Sequence, residues 1–232
     1  MLGRSALLAA TNSAAEGSLF LNNTAGASGT INAHAISTTT LVNSNTFTIE
    51  LWMHTISTVD MILLSDPSGN NKQIFRMNFP SVGKIGMYAY PSGGQLISSS
   101  GTYALTGWKH LAFVCNNGSN TVYVNGVAAV QYSASPTDDG RRMGYLGALF
   151  SGNQYHHFRG HISRYRITNA VRYTANFTPT PRTLPLPTDT EDPLWSSVSG
   201  AFDLDGSTLN KKNNRTDDFV LYGSAAFTPS PA

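Results

Sequence analysis

Apolar and polar residues alternate with a period of two along most of this chain. From Phe47 to His54, the side chains of Phe47, Ile49, Leu51 and Met53 share one face of an extended strand, and Thr48, Glu50, Trp52 and His54 share the other. Gln73 to Phe79 alternates in the same way, and Met61-Ile62-Leu63-Leu64 is a short apolar run closed by Asp66-Pro67-Ser68-Gly69. Further strands are predicted at Ser18–Leu21, Lys84–Tyr90, Gln95–Ser99, Val127–Tyr132, Met143–Leu149 and from Phe158 on, with turn residues recurring between them. Ile31 to Val42 is Ser/Thr-rich and fixes no register. Helical periodicity is nowhere sustained beyond two turns, and no internal repeat occurs. The pattern is that of an all-β sandwich.

The organising stretch runs from Trp108 to Val127. Trp108, His110, Ala112 and Val114 would lie on one face of a strand and Leu111 and Phe113 on the other, so this strand is covered on both sides. Asn116 to Asn120 supplies a turn, Thr121 to Val124 a second strand, and Asn125-Gly126 a tight turn whose residues tolerate positive φ. Trp52 and Trp108 are expected in the core.

Charge changes the picture at the C-terminal end. Only 12% of residues are charged, about half the usual share, with a net charge of +2. From Pro185 on there are seven acids and three bases, while the rest of the chain holds 12 bases and six acids. Pro179, Pro181, Pro185 and Pro187 suit an extended strap. The acidic tail beyond it carries Trp195, Phe202 and Phe219 to Tyr222, and so packs on its own sandwich or on a neighbour. An assembly arm is expected. No run approaches the roughly 18 apolar residues of a membrane span. Leu2 to Ala15 faintly imitates a signal peptide, or forms a short arm or helix. The single cysteine, Cys115, excludes an internal disulfide.

W-K-H-L-A-F, a Gly-containing turn and V-Y-V-N-G-V together resemble the laminin-G-like domains of the concanavalin A-like lectin/glucanase superfamily. F-T-I-E-L-W-M from Phe47 resembles that family's early strand, and F-R-G-H-I-S-R-Y-R-I-T from Phe158 its closing strand. The ending R-Y-T-A-N-F-T-P from Arg172 is most similar to laminin-G-like modules of phage virion proteins. The resemblance covers roughly residues 17 to 182. It implies a concanavalin A-like jelly-roll sandwich at 17–182, preceded by an arm at 1–16 and followed by a Pro-rich strap and acidic C-terminal arm at 183–232. Ser163 stands where the family usually has an acid, which weakens any cation site carried over from it.

Candidate chemistry is sparse. Glucanase members of the family resemble one another in a strand with clustered carboxylates, and no such cluster occurs here; Asp138 and Asp139 are adjacent and read as turn formers. No enzyme is expected, and no cofactor apart from calcium, for which Asp60 and Asp66 are the candidate ligands, against a reading of both as turn formers. Arg141 to Arg182 holds seven Arg and no acid, so it either solvates an outer sheet face or meets an anionic partner such as an acidic glycan or the acidic tail of another copy. Candidate ligand- or partner-binding residues are Arg141, Arg142, Tyr145, Tyr155, His156, Arg159, Trp195, Phe219 and Tyr222. Nothing matches a nucleic-acid module. The resemblance implies a virion structural protein, in a capsid decoration or a tail fibre, pairing with other virion proteins and with copies of itself and adhering to host-surface glycan. The alternative is a secreted or cell-surface lectin module.

Overall fold

The structure is a computed structural model that describes residues 17–23, 33–65, 73–89, 95–133, 145–148, 156–216 and 218–231. Its strands are β1 (Gly17–Leu21), β2 (Ala33–Ser37), β3 (Thr46–Thr55), β4 (Met61–Ser65), β5 (Gln73–Met77), β6 (Ile85–Ala89), β7 (Gln95–Ser98), β8 (Gly107–Asn116), β9 (Ser119–Val124), β10 (Val127–Ser133), β11 (Tyr145–Leu146), β12 (Gly160–Thr168), β13 (Val198–Phe202), β14 (Phe219–Gly223) and β15 (Ala226–Pro229). They form two antiparallel sheets, the architecture of a concanavalin A-like jelly-roll sandwich. The first runs β10-β9-β8-β3-β12-β1-β15, with β13 also beside β12; the second runs β14-β2-β11-β4-β5-β6-β7.

The alternation read along β3 sets the core. Phe47, Ile49, Leu51 and Met53 are fully buried between the sheets with Leu111 and Phe113 of β8 and Met61, Leu63, Phe75 and Met77 of the second sheet. Cys115 is a buried thiol in this core, and its Sγ donates to Asn45 O at 3.3 Å. β8, β9 and β10 form the expected meander, and β8 is covered on both faces. On its outer face, Ala112, Val114 and Tyr123 make a second apolar cluster with Val171, Tyr173 and Phe177.

Those last three residues belong to the strap, which follows β12 and crosses the outer face of the first sheet. Phe177 N–H donates to Gly126 O at 2.9 Å, Asn176 Oδ1 accepts from Ala128 N–H at 3.0 Å, and Trp52 Nε1–H donates to Thr180 O at 3.2 Å. Trp52 and Trp108 are therefore corrected from core to outer face. Both are half-buried, because even-numbered positions of β3 and β8 face the strap. Trp108 Nε1–H donates to Pro231 O at 2.9 Å, and the Arg182 guanidinium lies 4.2 Å over its ring.

The tail requires the larger correction. It does not stand off the sandwich as an arm. β13 pairs with β12, β14 extends the second sheet at β2, and β15 extends the first at β1. Phe202, Leu204 and Phe219 fill the main core, with the Phe202 and Phe219 rings 4.7 Å apart and edge-on. The physical reason lies in the charge contrast itself: acids tethered to the same chain as the basic strip reach it at a far higher effective concentration than those of another copy.

β12 shows how the strip is arranged. Between Ser163↔Trp52 and Arg166↔Glu50 the register slips by one residue, and Arg164 takes a φ of 54°. This bulge resets the alternation. Ile162 and Tyr165 both face the core, while Arg164 and Arg166 both turn to the outer face under the strap.

Candidate functional site

Arg166 lies at the centre of a buried network. Its Nε donates to Glu50 Oε1 at 2.7 Å and its Nη1 to Asp192 Oδ2 at 3.0 Å. Arg172 holds the other Asp192 oxygen at 3.0 Å, Tyr173 OH donates to Glu50 Oε2 at 2.6 Å, and His110 Nε2 lies 3.2 Å from the same oxygen. Burial alone would push the Glu50 carboxyl up, but Arg166, His110 and Tyr173 together hold it well below the usual range. Asp192 is lowered likewise: burial opposes it, and the hydrogen bond from Arg172 prevails. Glycoside hydrolysis needs one carboxylic acid kept protonated beside a carboxylate, and this pair supplies two carboxylates. A crevice beside it, lined by Glu50, Trp52, His110, Arg166 and strap residues, has a volume of about 10 Å³, room for about one water and not for a sugar. The network fastens the strap and the segment around Asp192 to the sheet.

Among the described residues, the Arg-rich strip is thus largely occupied internally. Arg164 pairs with Asp203 and Asp205 at 3.3 and 3.2 Å, and Lys211 also reaches Asp203. The anionic partner suggested by the strip is, for Arg164, Arg166 and Arg172, the chain's own tail.

Residues at one rim of the sandwich are brought together differently. Three loops meet there, at 56–60, 78–84 and 156–159. Ile56 N–H donates to Arg159 O at 3.3 Å, Asn78 Nδ2 to Val59 O at 3.0 Å, and Asn78 Oδ1 accepts from Gly83 N–H at 2.9 Å. The register Met61↔Met77 sets Asp60 and Arg76 diagonally across the β4–β5 pair. Arg76 Nε donates to Asp60 Oδ1 at 2.8 Å, its Nη2 reaches Oδ2, and its guanidinium stacks 3.9 Å over Phe79. His156 Nδ1 lies 3.2 Å from Asp60 Oδ2, with the His156 backbone at a φ of 90°. A non-glycine residue held there costs about 1–3 kcal/mol, and such strain clusters at ligand sites. Arg159 is exposed beside them, as are Ile56 at 45% and Val59 at 41%.

Of the candidate residues, Asp60, His156 and Arg159 converge at this rim, while Asp66, Arg141, Arg142 and Tyr155 lie outside the described residues. Both Asp60 oxygens are engaged, and among the described residues no group of three His, Cys, Asp or Glu side chains could hold a metal ion. Tyr145 and Tyr222 meet elsewhere, on the second sheet, where they flank His34 at 5.0 and 4.8 Å in a flat stack. Phe219 is corrected from a partner-binding residue to a core residue at 3% exposure, since its position in β14 faces inward. Trp195 is half-buried against Leu186, Val198 and Ala201, with the Lys212 ammonium 5.0 Å over its ring. Sequence reasoning missed Arg76 and Phe79. The alternation of Gln73 to Phe79 placed them on opposite faces, but only the hairpin register could bring Arg76 to Asp60, and only the turn after β5 could bring Phe79 over Arg76.

Fold and site together define a lectin-like β-sandwich with a strapped outer face and a polar rim. Residues 25–176 match the laminin-G-type family described as the concanavalin A-like lectin/glucanases superfamily, and the chain belongs to that family. No curated protein matches it by sequence. A candidate carbohydrate-binding protein from Bacteroides ovatus shares the fold with a TM-score of 0.63 at 16% identity, over 94% of this chain and 60% of its own. The chain thus spans only about 60% of that relative's length. A heptameric SAP-like pentraxin from Limulus polyphemus matches with a TM-score of 0.50 at 15% identity, over 69% of this chain and 79% of its own. The CBM40 of the Ruminococcus gnavus IT-sialidase does so at 0.50 and 14%, over 68% of this chain and 92% of its own. No helix among the described residues is long and apolar enough to cross a membrane.

Proposed function

We propose that this chain is a non-enzymatic, lectin-like adhesion module that binds glycan at the rim formed by Asp60, Arg76, Phe79, His156 and Arg159. The observation that carries this reading is the His156–Asp60–Arg76–Phe79 chain. Its polar groups are fixed by one another before any ligand arrives, so little side-chain freedom is lost on binding. Sugar hydroxyls suit an Asp–Arg pair, which offers acceptors and donors side by side, and the exposed Ile56, Val59 and Arg159 border it. Membership of a lectin-containing family supports binding. The paired, ionised Glu50 and Asp192 support the absence of hydrolysis.

The setting is extracellular. The R-Y-T-A-N-F-T-P strap motif favours a phage particle, as a capsid decoration or tail-fibre component, over a secreted lectin. That preference rests on the motif's resemblance. A glycan array probed with the whole chain tests the function. Retention on a defined set of glycans without release of reducing ends supports it. Retention on none, or hydrolysis abolished by Glu50→Gln, overturns it. Immunogold labelling of native phage particles tests the setting, and unlabelled particles would favour the secreted module.

A further inference from the structure

We propose that β14 is a pairing edge through which two copies of this chain join antiparallel, about a twofold axis at Leu221, to make one continuous sheet. Among the described residues β14 has β2 on one side and is the last strand of its sheet. Edge strands of soluble proteins are normally blunted by charge, proline, bulges or covering segments. The other edges among the described residues carry such protection. β13, beside β12 alone, is covered by the 210–211 segment: Lys211 N–H donates to Ala201 O at 2.8 Å, and Asn210 Oδ1 accepts from Ala201 N–H at 3.0 Å. β10 has a register shift between Ala128 and Val130, and its Ala128 N–H is taken by Asn176 of the strap. β15 ends in Pro229, which has no N–H to offer, and β7 is only four residues long. β14 reads Phe-Val-Leu-Tyr-Gly, without charge or proline, and pairs with β2 with no register shift over five residues.

Its side chains are self-complementary. Phe219 and Leu221 pack on the core, while Val220 and Tyr222 are 36% and 44% exposed. Antiparallel pairing centred on Leu221 sets Val220 of each copy against Tyr222 of the other, twice. Aromatic residues opposite β-branched ones are among the favourable cross-strand pairs.

The ring stack points the same way. Tyr145, His34 and Tyr222 come from β11, β2 and β14, with interplanar angles of 6° and 3° and centroid spacings of 5.0 and 4.8 Å. That spacing matches the distance of about 4.8 Å between neighbouring strands. The outer face of Tyr222 therefore lies where a side chain of the next strand would stack, and Val220 of a second copy fills that place. Charge does not oppose the pairing: Asp218, ahead of β14, would come beside Ser224 of the second copy and away from its own counterpart. A five-residue strand is only about 17 Å long. It buries less than the roughly 800 Å² per partner of a standard interface, so the dimer is weak and concentration-dependent.

Sedimentation velocity of the full chain over a concentration series tests this. The wild type is expected to shift from monomer towards dimer as concentration rises. Val220→Lys and Tyr222→Lys, both at exposed positions, are expected to stay monomeric, Val220→Lys with an unchanged melting temperature and Tyr222→Lys with a slightly lowered one, since it also loses the stack on His34. Val127→Lys, at an exposed apolar position on the β10 edge, is expected to dimerise like the wild type. A wild type that stays monomeric throughout the series overturns the proposal. So does a Val220→Lys protein that dimerises normally, or a Val127→Lys protein that does not.

Discussion

Phe177 and Gly126 meet backbone to backbone: the Phe177 N–H donates to the Gly126 carbonyl at 2.9 Å, and a Cβ on Gly126 would overlap the Phe177 carbonyl. Gly126 also has a φ of 79°. One turn thus closes the β9–β10 hairpin and receives the strap, coupling the two most recognisable motifs of the sequence. Gly126→Ala meets both the overlap with fixed backbone and the cost of a left-handed alanine. It is expected to lower stability by about 1–3 kcal/mol, read by denaturant unfolding. It should also expose the strap near Phe177 to protease. An unchanged midpoint would show that the strap is not seated on this turn.

Glu50→Ala leaves the Arg166 guanidinium buried against one acid in place of two. Breaking a buried pair of this kind costs about 3–5 kcal/mol. Replacing both members by apolar residues should cost less than replacing Glu50 alone, because no unpaired charge remains. A double variant less stable than Glu50→Ala would contradict this account of the network.

Acid should destabilise the fold in two windows. His161 stacks on Phe20 at 4.6 Å and faces His54 at 6.0 Å; burial, and then the charge of His54, lower its pKa to about 4. Burial likewise lowers His54 and His34. A group depressed in the folded state binds fewer protons there than in the unfolded chain. Its stabilisation is therefore complete above the unfolded value of 6.5 and falls away as pH drops towards about 4. Glu50 and Asp192, also depressed, add a second loss below the ordinary carboxylate range. The melting temperature should thus decline from pH 6.5 downward, and His161→Phe should flatten the upper part of that decline. A His161→Phe protein with the wild-type pH profile would contradict the assignment.

A chain ending at Thr188 loses Asp192 from the network and Phe202, Leu204 and Phe219 from the core, along with β13, β14 and β15. It is expected to be insoluble or unfolded by circular dichroism. A folded, soluble product would show that the tail is an appendage. Trp108→Phe is a milder probe of the same relationship. It removes the indole N–H bonded to Pro231 O, should cost about 1 kcal/mol, and should speed hydrogen exchange in β15 and leave that of β3 unchanged.

These outcomes follow from contacts that the sequence shows unevenly. The alternation of β3 and β8, and the Asn125-Gly126 turn, were legible because each is a local pattern with one physical reading. Double coverage of β8 was legible too, since Leu111 and Phe113 oppose Ala112 and Val114. The destination of the tail was not. β14 finds β2 across nearly the whole chain, and nothing local in Phe219–Gly223 distinguishes a strand that closes its own sheet from one that docks elsewhere. The bulge at Arg164 was hidden for a similar reason: plain alternation from Ile162 would have turned Arg164 and Arg166 inward. At the rim, Asp60 and His156 were visible as residue types, but their meeting with Arg76 depends on pairing register and on a loop nearly 100 residues away in sequence.

The proposed glycan binding at the rim depends on Arg159 and His156. Wild-type chain and Arg159→Ala with His156→Ala should be compared on one glycan array, with melting temperatures measured alongside. The expected result is a defined set of bound glycans for the wild type and loss of that set, by at least about tenfold in signal, for the variant at a similar melting temperature. A variant that keeps the wild-type binding pattern, or a wild type that binds no glycan, would contradict the account.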